Sequence, residues 1–179
     1  MDSMIDTDKW DKVSHKYQEI VLEAYNKNQN FEIENSDIEH ARFLSYLLIK
    51  KARKHIRIFT GNLNDSFYSD KRIMSALESL GDNVEVDIVV ESLGSEFKSL
   101  IKLAKKRKTF SINKLKKKIG IKNHFLLSDE KSFRIESAHK KDDIEKGIIE
   151  GIANFNNPTI TAGTIQIFNN EIIPNSESI

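Results

Sequence analysis

The sequence predicts a mixed α/β domain, a mostly parallel sheet flanked by helices, preceded by an N-terminal helix. Three observations lead there. Segments with helical periodicity alternate with short β-branched runs, the pattern that places helices on the faces of a sheet. A strand–turn–strand sequence follows late in the chain. At 179 residues the chain is long enough to bury one hydrophobic core without staples.

From Lys9 to Asn28, Trp10, Val13, Tyr17, Ile20, Val21 and Ala24 fall at helical spacing, predicting an amphipathic helix. This helix either docks on a partner or folds back on its own domain. The polar run Asn26-Lys27-Asn28-Gln29-Asn30 ends it, so residues 1–35 read as helix and linker, and 36–179 as the α/β domain. A second helix is expected to open at Ser36, with Glu39 at capping-box spacing. Its apolar residues cover most of its circumference, which requires packing on more than one side.

Ile56 to Thr60 reads as a strand, and Gly61 to Asp70 as a loop. Phe67-Tyr68 in that loop is either a stacking surface or a hydrophobic anchor. A helix carrying Ile73, Met74, Leu77 and Leu80 stops at Gly81-Asp82. Val84 to Val90 is a central strand, its Ile88-Val89-Val90 end apolar on both faces. Leu93, Phe97, Leu100, Ile101 and Ala104 mark a third amphipathic helix. Phe110–Leu115 and Ile119–Leu127 read as strands, and Asp129-Glu130-Lys131 as a tight turn into Ser132–Ser137. Ile144, Ile148, Ile149 and Ile152 then predict a helix over Asp142–Ala153. Asn157-Pro158 starts a last helix towards Asn170, with a strand as the alternative because of its β-branched residues. Residues after Ile173 are expected to fray.

Charge is unevenly distributed. The chain carries 28 basic and 27 acidic residues, but Lys98 to Lys122 holds 11 Lys or Arg and no acid. The remainder has 17 basic against 27 acidic residues. This stretch is either a solvated face or a phosphate site built from Lys98, Lys102, Lys105, Lys106, Arg107, Lys108, Lys114, Lys116, Lys117 and Lys118. Lysine outnumbers arginine ten to one in the stretch, which suits sequence-independent phosphate attraction better than bidentate base reading. The absence of cysteine, of a signal-peptide pattern and of an apolar run near the roughly 20 residues needed to cross a bilayer predicts a cytoplasmic protein.

One motif carries chemistry. Lys122-Asn123-His124-Phe125-Leu126-Leu127-Ser128-Asp129 is followed by Arg134-Ile135-Glu136-Ser137-Ala138-His139. Together with the element order from Glu39 to Ala153, this is similar to one half of the phospholipase D-like fold. In that superfamily a strand carries His-x-Lys-(x)4-Asp, and the next ends in Gly-Ser-x-Asn. Here Lys122 stands at the nucleophilic His position and His124 at the Lys position, while Asp129 and Ser137 keep theirs. Glu136 replaces the Gly and His139 the Asn.

The resemblance implies a catalytic set of Lys122, His124, Asp129, Ser137 and His139, with its nucleophile displaced. A protonated lysine is a poor nucleophile, and misplacement of a reacting atom by about 1 Å costs on the order of 100-fold. Glu136 repels an incoming phosphate unless it is paired or protonated. The expected function is therefore a non-catalytic module that binds nucleic acid or another phosphate-bearing partner, in a bacterial or phage nucleic-acid-handling complex. The alternative is a homodimeric, metal-independent phosphodiesterase or nuclease that pools two Lys-x-His-(x)4-Asp motifs. His124 also reads simply as a core-edge residue and His139 as an exposed one. Gly-rich phosphate loops, nucleotide fingerprints and metal-ligand spacing among the five histidines are missing from the sequence, so no cofactor or metal is expected.

Overall fold

The computed structural model describes residues 5–61, 65–92, 98–137 and 146–179. The described strands form one sheet of eight: β1 (Ile33–Asp37), β2 (His55–Thr60), β3 (Glu85–Val90), β4 (Phe110–Leu115), β5 (Phe125–Ser128), β6 (Ser132–Glu136), β7 (Ile148–Asn154) and β8 (Ser176–Ser178). Their spatial order is β1-β7-β6-β5-β2-β3-β4-β8. The mixed α/β class holds, with parallel pairing confined to β2-β3-β4. All other neighbours run antiparallel, so antiparallel pairs predominate where a mostly parallel sheet was expected.

The helices are α1 (His15–Asn26), α2 (Ile38–Lys51), α3 (Asp65–Tyr68), α4 (Lys71–Glu78), α5 (Lys98–Lys106) and α6 (Pro158–Ile167). Two cores result, one on each face of the sheet. Ile56, Ile58, Val86, Ile88 and Leu126 project into the larger core, with Trp10, Val21, Leu44, Leu48, Leu77 and Leu100. Phe59, Val89, Phe125, Leu127 and Phe133 point the other way and meet Phe168 and Ile172. Alternate residues of β2, β3 and β5 thus serve opposite cores, which explains their nearly continuous apolar sequences.

The N-terminal segment folds back on the domain. Trp10 is buried against Phe43 and Tyr46, with ring centroids 5.0 and 5.4 Å away. The Arg72 guanidinium lies 4.0 Å over the Trp10 ring and donates to the Lys9 carbonyl at 3.0 Å. The expected division at residue 35 falls inside β1, which pairs with β7 through Ile33 and Ala153.

Four local expectations change. The second helix is capped by Asp37, not Ser36: its carboxylate accepts the Glu39 and His40 N–H groups, both at 2.9 Å. Ile119–His124 lies outside any strand, and β5 begins only at Phe125. Ile148–Asn154 is a strand rather than part of a helix. The segment after Ile173 is not frayed, because β8 pairs with Asn113–Leu115 at the edge of the sheet. The Asn157-Pro158 start is borne out, with the Asn157 side chain accepting from Ile160 N at 3.1 Å. No described helix is long and apolar enough to cross a membrane.

Candidate functional site

The site lies where β2 and β3 end and β5 begins. At that edge β6 ends, β7 begins and β1 ends, because each runs antiparallel to its neighbour. Carboxyl ends of parallel strands are where α/β sheets commonly bind ligands.

His124 immediately precedes β5. Its side chain is 17% exposed and lies between two carboxylates, Nε2 3.9 Å from Glu91 Oε2 and Nδ1 3.8 Å from Glu136 Oε2. The ring meets Phe59 edge-on at 5.8 Å and rests on the Gly61 backbone, where a Cβ would come within 2.8 Å of His124 Cε1. The His124 carbonyl accepts the Glu136 N–H at 2.8 Å, which fixes the register between the two residues.

Glu136 is held by Arg134, its neighbour on the same face of β6. Arg134 Nη1 donates to Glu136 Oε1 at 2.6 Å, with the two side chains only 3% and 13% exposed. Arg134 Nε donates to Asn35 Oδ1 at 3.1 Å, and Asn35 in turn donates to the Ile149 carbonyl. Burial by itself would raise the Glu136 pKa, but the Arg134 charge and the His124 contact outweigh it and pull it down to about 2. Glu136 is therefore a carboxylate at neutral pH. The Tyr68 phenol is pushed up by burial and then by Glu136, and it bonds to Thr60. Phe67 and Tyr68 are buried, so the aromatic pair anchors the loop between β2 and α4.

Lys122 and Asp129 lie apart from this cluster. Lys122 is exposed in the irregular segment before β5, so it shares no strand face with His124. Asp129 sits beyond the far end of β5, four residues and about 13 Å along the strand from Phe125. There its carboxylate accepts backbone N–H groups from Arg53 at 3.0 Å, Lys54 at 2.8 Å and His55 at 2.9 Å. Its φ of 54° closes the turn into β6. Ser137 is exposed after β6, its N–H donating to the Glu150 carbonyl at 3.0 Å. His139 lies outside the described residues.

The basic segment is divided between the two ends of the sheet. Lys116, Lys117 and Lys118 are exposed just after β4, at the site's end, and Lys98 opens α5 there. Lys114 projects from β4 on the face shared by Phe110 and Ile112. Lys102 lies midway along α5, while Lys105, Lys106, Arg107 and Lys108 reach the opposite end, about 12 Å away along the helix. Arg107 is committed to structure: its guanidinium donates to the carbonyls of Leu77, Leu80 and Gly81 at 3.3, 3.0 and 2.7 Å. It caps the end of α4.

Sequence reasoning missed Arg134, Glu91 and Asn35. Arg134 and Glu136 two apart on a strand were a readable signal, since alternate residues share a face. Glu91 and Asn35 arrive from distant segments, and nothing near the motif points to them. Among the described residues no group of three or more His, Cys, Asp or Glu is arranged to hold a metal.

No protein-family model and no curated protein matches the sequence. Solved structures do. Nuc from Salmonella typhimurium, a phospholipase D family member, superposes with a TM-score of 0.60 at 15% identity, covering 83% of this chain and 99% of that one. NucT from Helicobacter pylori gives 0.62 at 14% identity, with the same coverage. TrmBL2, an archaeal chromatin protein with a novel mode of DNA binding, gives 0.58 at 16% identity over 92% of this chain. The chain spans 61% of the length of TrmBL2. At such identities the likeness is one of architecture, and on that ground the chain has the phospholipase D-like fold.

Proposed function

We propose that the chain is a non-catalytic phospholipase D-like module that binds nucleic acid, or another phosphate-bearing partner, through its basic segment. The observation that carries this reading is the ionised Glu136 beside His124, locked by Arg134. With Glu91 it sets two carboxylates around the imidazole, where a phosphate would have to approach. Arg134 offsets much of the Glu136 charge, so Glu91 supplies most of the repulsion, about 1 kcal/mol at 4 Å in water. Phosphates are then better received outside the pocket, at Lys98, Lys114 and Lys116–Lys118, which the topology sets at the same end of the sheet. TrmBL2, a chromatin protein that binds DNA, shares this fold over 61% of its length. Work within a larger nucleic-acid-handling complex is consistent with this role.

The competing reading, a homodimeric phosphodiesterase, requires Lys122 and His124 to share one pocket. Exposure of Lys122 and enclosure of His124 weigh against it.

The test is anisotropy of labelled duplex DNA over a range of salt. Affinity is expected to fall steeply with salt, and replacing Lys116, Lys117 and Lys118 by Gln should reduce the log–log slope by about 3. The Lys105→Gln, Lys106→Gln pair at the far end should change it less. Absence of binding, binding unchanged by salt, or turnover of a generic phosphodiester in EDTA would overturn the proposal.

A further inference from the structure

Helix α6 turns threonines inwards and isoleucines outwards, the reverse of what a helix lying on a sheet normally does. Its buried residues are Thr161 and Thr164, followed directly by the buried Phe168. Both threonine hydroxyls are satisfied within the helix, donating to the carbonyls of Asn157 at 2.8 Å and Ile160 at 2.9 Å. Ile160 and Ile167 instead face outwards, 36% and 38% exposed. A surface helix buries its apolar stripe and carries charge opposite it, whereas a helix without a charged side is one packed all round.

The surroundings of these isoleucines are equally unusual. Residues 151–170 contain no Asp, Glu, Lys, Arg or His, in a chain of which 31% is charged. Thr159, Ala162, Gly163, Gln166 and Asn170 are exposed and complete a neutral face. A Cβ at Gly163 would meet nothing within 4 Å, so the fold of the single chain does not call for glycine there. Glycine is the poorest helix former apart from proline, and what it permits is close approach by another backbone. The core beneath α6 is also incompletely enclosed: beside its buried residues, Ile119, Ile121, Ile135, Ile152, Ile165 and Ile173 stay partly exposed.

We propose that the outer face of α6 is a homodimer contact, covered by the same face of a second copy of this chain. A two-fold axis sets a surface against its own image, so any charge near the axis meets its like. A neutral face meets that condition, and it offers a charged partner nothing to pair with. Ile160 and Ile167 flank Gly163, so isoleucines of one helix fit the space over the glycine of the other. The contact needs neither a shared catalytic pocket nor nucleic acid.

The test is sedimentation velocity of the full chain, without nucleic acid, over a range of micromolar concentrations. The wild-type chain is expected to sediment as a dimer. Ile160→Asp and Ile167→Asp each put an unpaired charge into the contact and should weaken association by about 100-fold. Ile20→Asp, at a comparably exposed isoleucine on α1, should leave the dimer intact. Gly163→Gln suits the helix better than glycine and blocks close approach, so it serves if the aspartate variants fail to fold. It should weaken association by about tenfold. A wild-type chain that is monomeric throughout, or a dimer that survives all three α6 substitutions, would overturn the proposal. Either result would leave the nucleic-acid reading standing.

Discussion

At the amino end of β5 the His124 imidazole sits between two carboxylates, whereas past its carboxyl end the Asp129 carboxylate gathers three backbone N–H groups. Both residues belong to one motif spacing, yet they do unrelated work. Asp129 joins the start of β2 to the β5–β6 turn and needs only an acceptor in the right place. His124 sits in an ionic cluster in which it and Arg134 help keep Glu136 ionised. A backbone-binding carboxylate can persist when side chains around it change, because its partners are main-chain N–H groups that only a proline removes. The other end of the strand depends on side chains, which a single substitution can remove.

The sharpest way to break this comparison is Arg134→Met. It leaves Glu136 buried without its cation, and a loss of about 3–5 kcal/mol is expected by urea unfolding at neutral pH. The acid response gives the sign. Glu136 is depressed from 4.5 to about 2 in the folded protein, so its contribution is present above pH 4.5 and is lost as pH falls towards 2. In Glu136→Gln that part of the pH dependence should disappear.

Asp129→Ala is the counterpart at the other end, with an expected loss of about 2 kcal/mol from the lost hydrogen bonds, two of them to exposed N–H groups that water can take over, and from the left-handed turn. Asp129→Asn should recover roughly half, since asparagine tolerates the positive φ and retains one acceptor. Nucleic-acid binding should be unchanged in both, read by anisotropy at a temperature where the variants are folded. The smallest effect is expected from Glu91→Gln. Removing one partly exposed charge near His124 is worth about 1 kcal/mol at 4 Å in water, or about fivefold tighter binding of inorganic phosphate at low salt. Weaker phosphate binding in that variant would mean that Glu91 is not a barrier to anions.

The central strands were legible because their residues are apolar on both faces and β-branched. Ile148–Asn154 was misread for a related reason. Ile149 feeds one core and Ile152 packs against the other, which reproduces helical spacing within a strand. Direction was harder than identity: parallel and antiparallel neighbours of β2 have similar compositions, and the turn at Asp129 alone betrays one antiparallel pair. For the site, spacing located His124 and Glu136 but could not reveal how their charges are satisfied. That depends on Arg134, Asn35 and Glu91, contributed by β6, β1 and the segment after β3. The basic run read as one patch, yet a helix of nine residues carries its two ends apart.

Gly61 has a consequence for how this chain can evolve. The imidazole of His124 occupies the space that any side chain at position 61 would need, since a Cβ there lies 2.8 Å from Cε1 and 3.5 Å from Glu91 Oε2. Mutations at the two positions are therefore ordered: residue 124 must shrink or move before residue 61 can grow. With a larger residue at 61, a histidine at 124 would have to turn its ring away from its present position between the carboxylates. The ring is held in place as much by the hydrogen opposite it as by the carboxylates on either side.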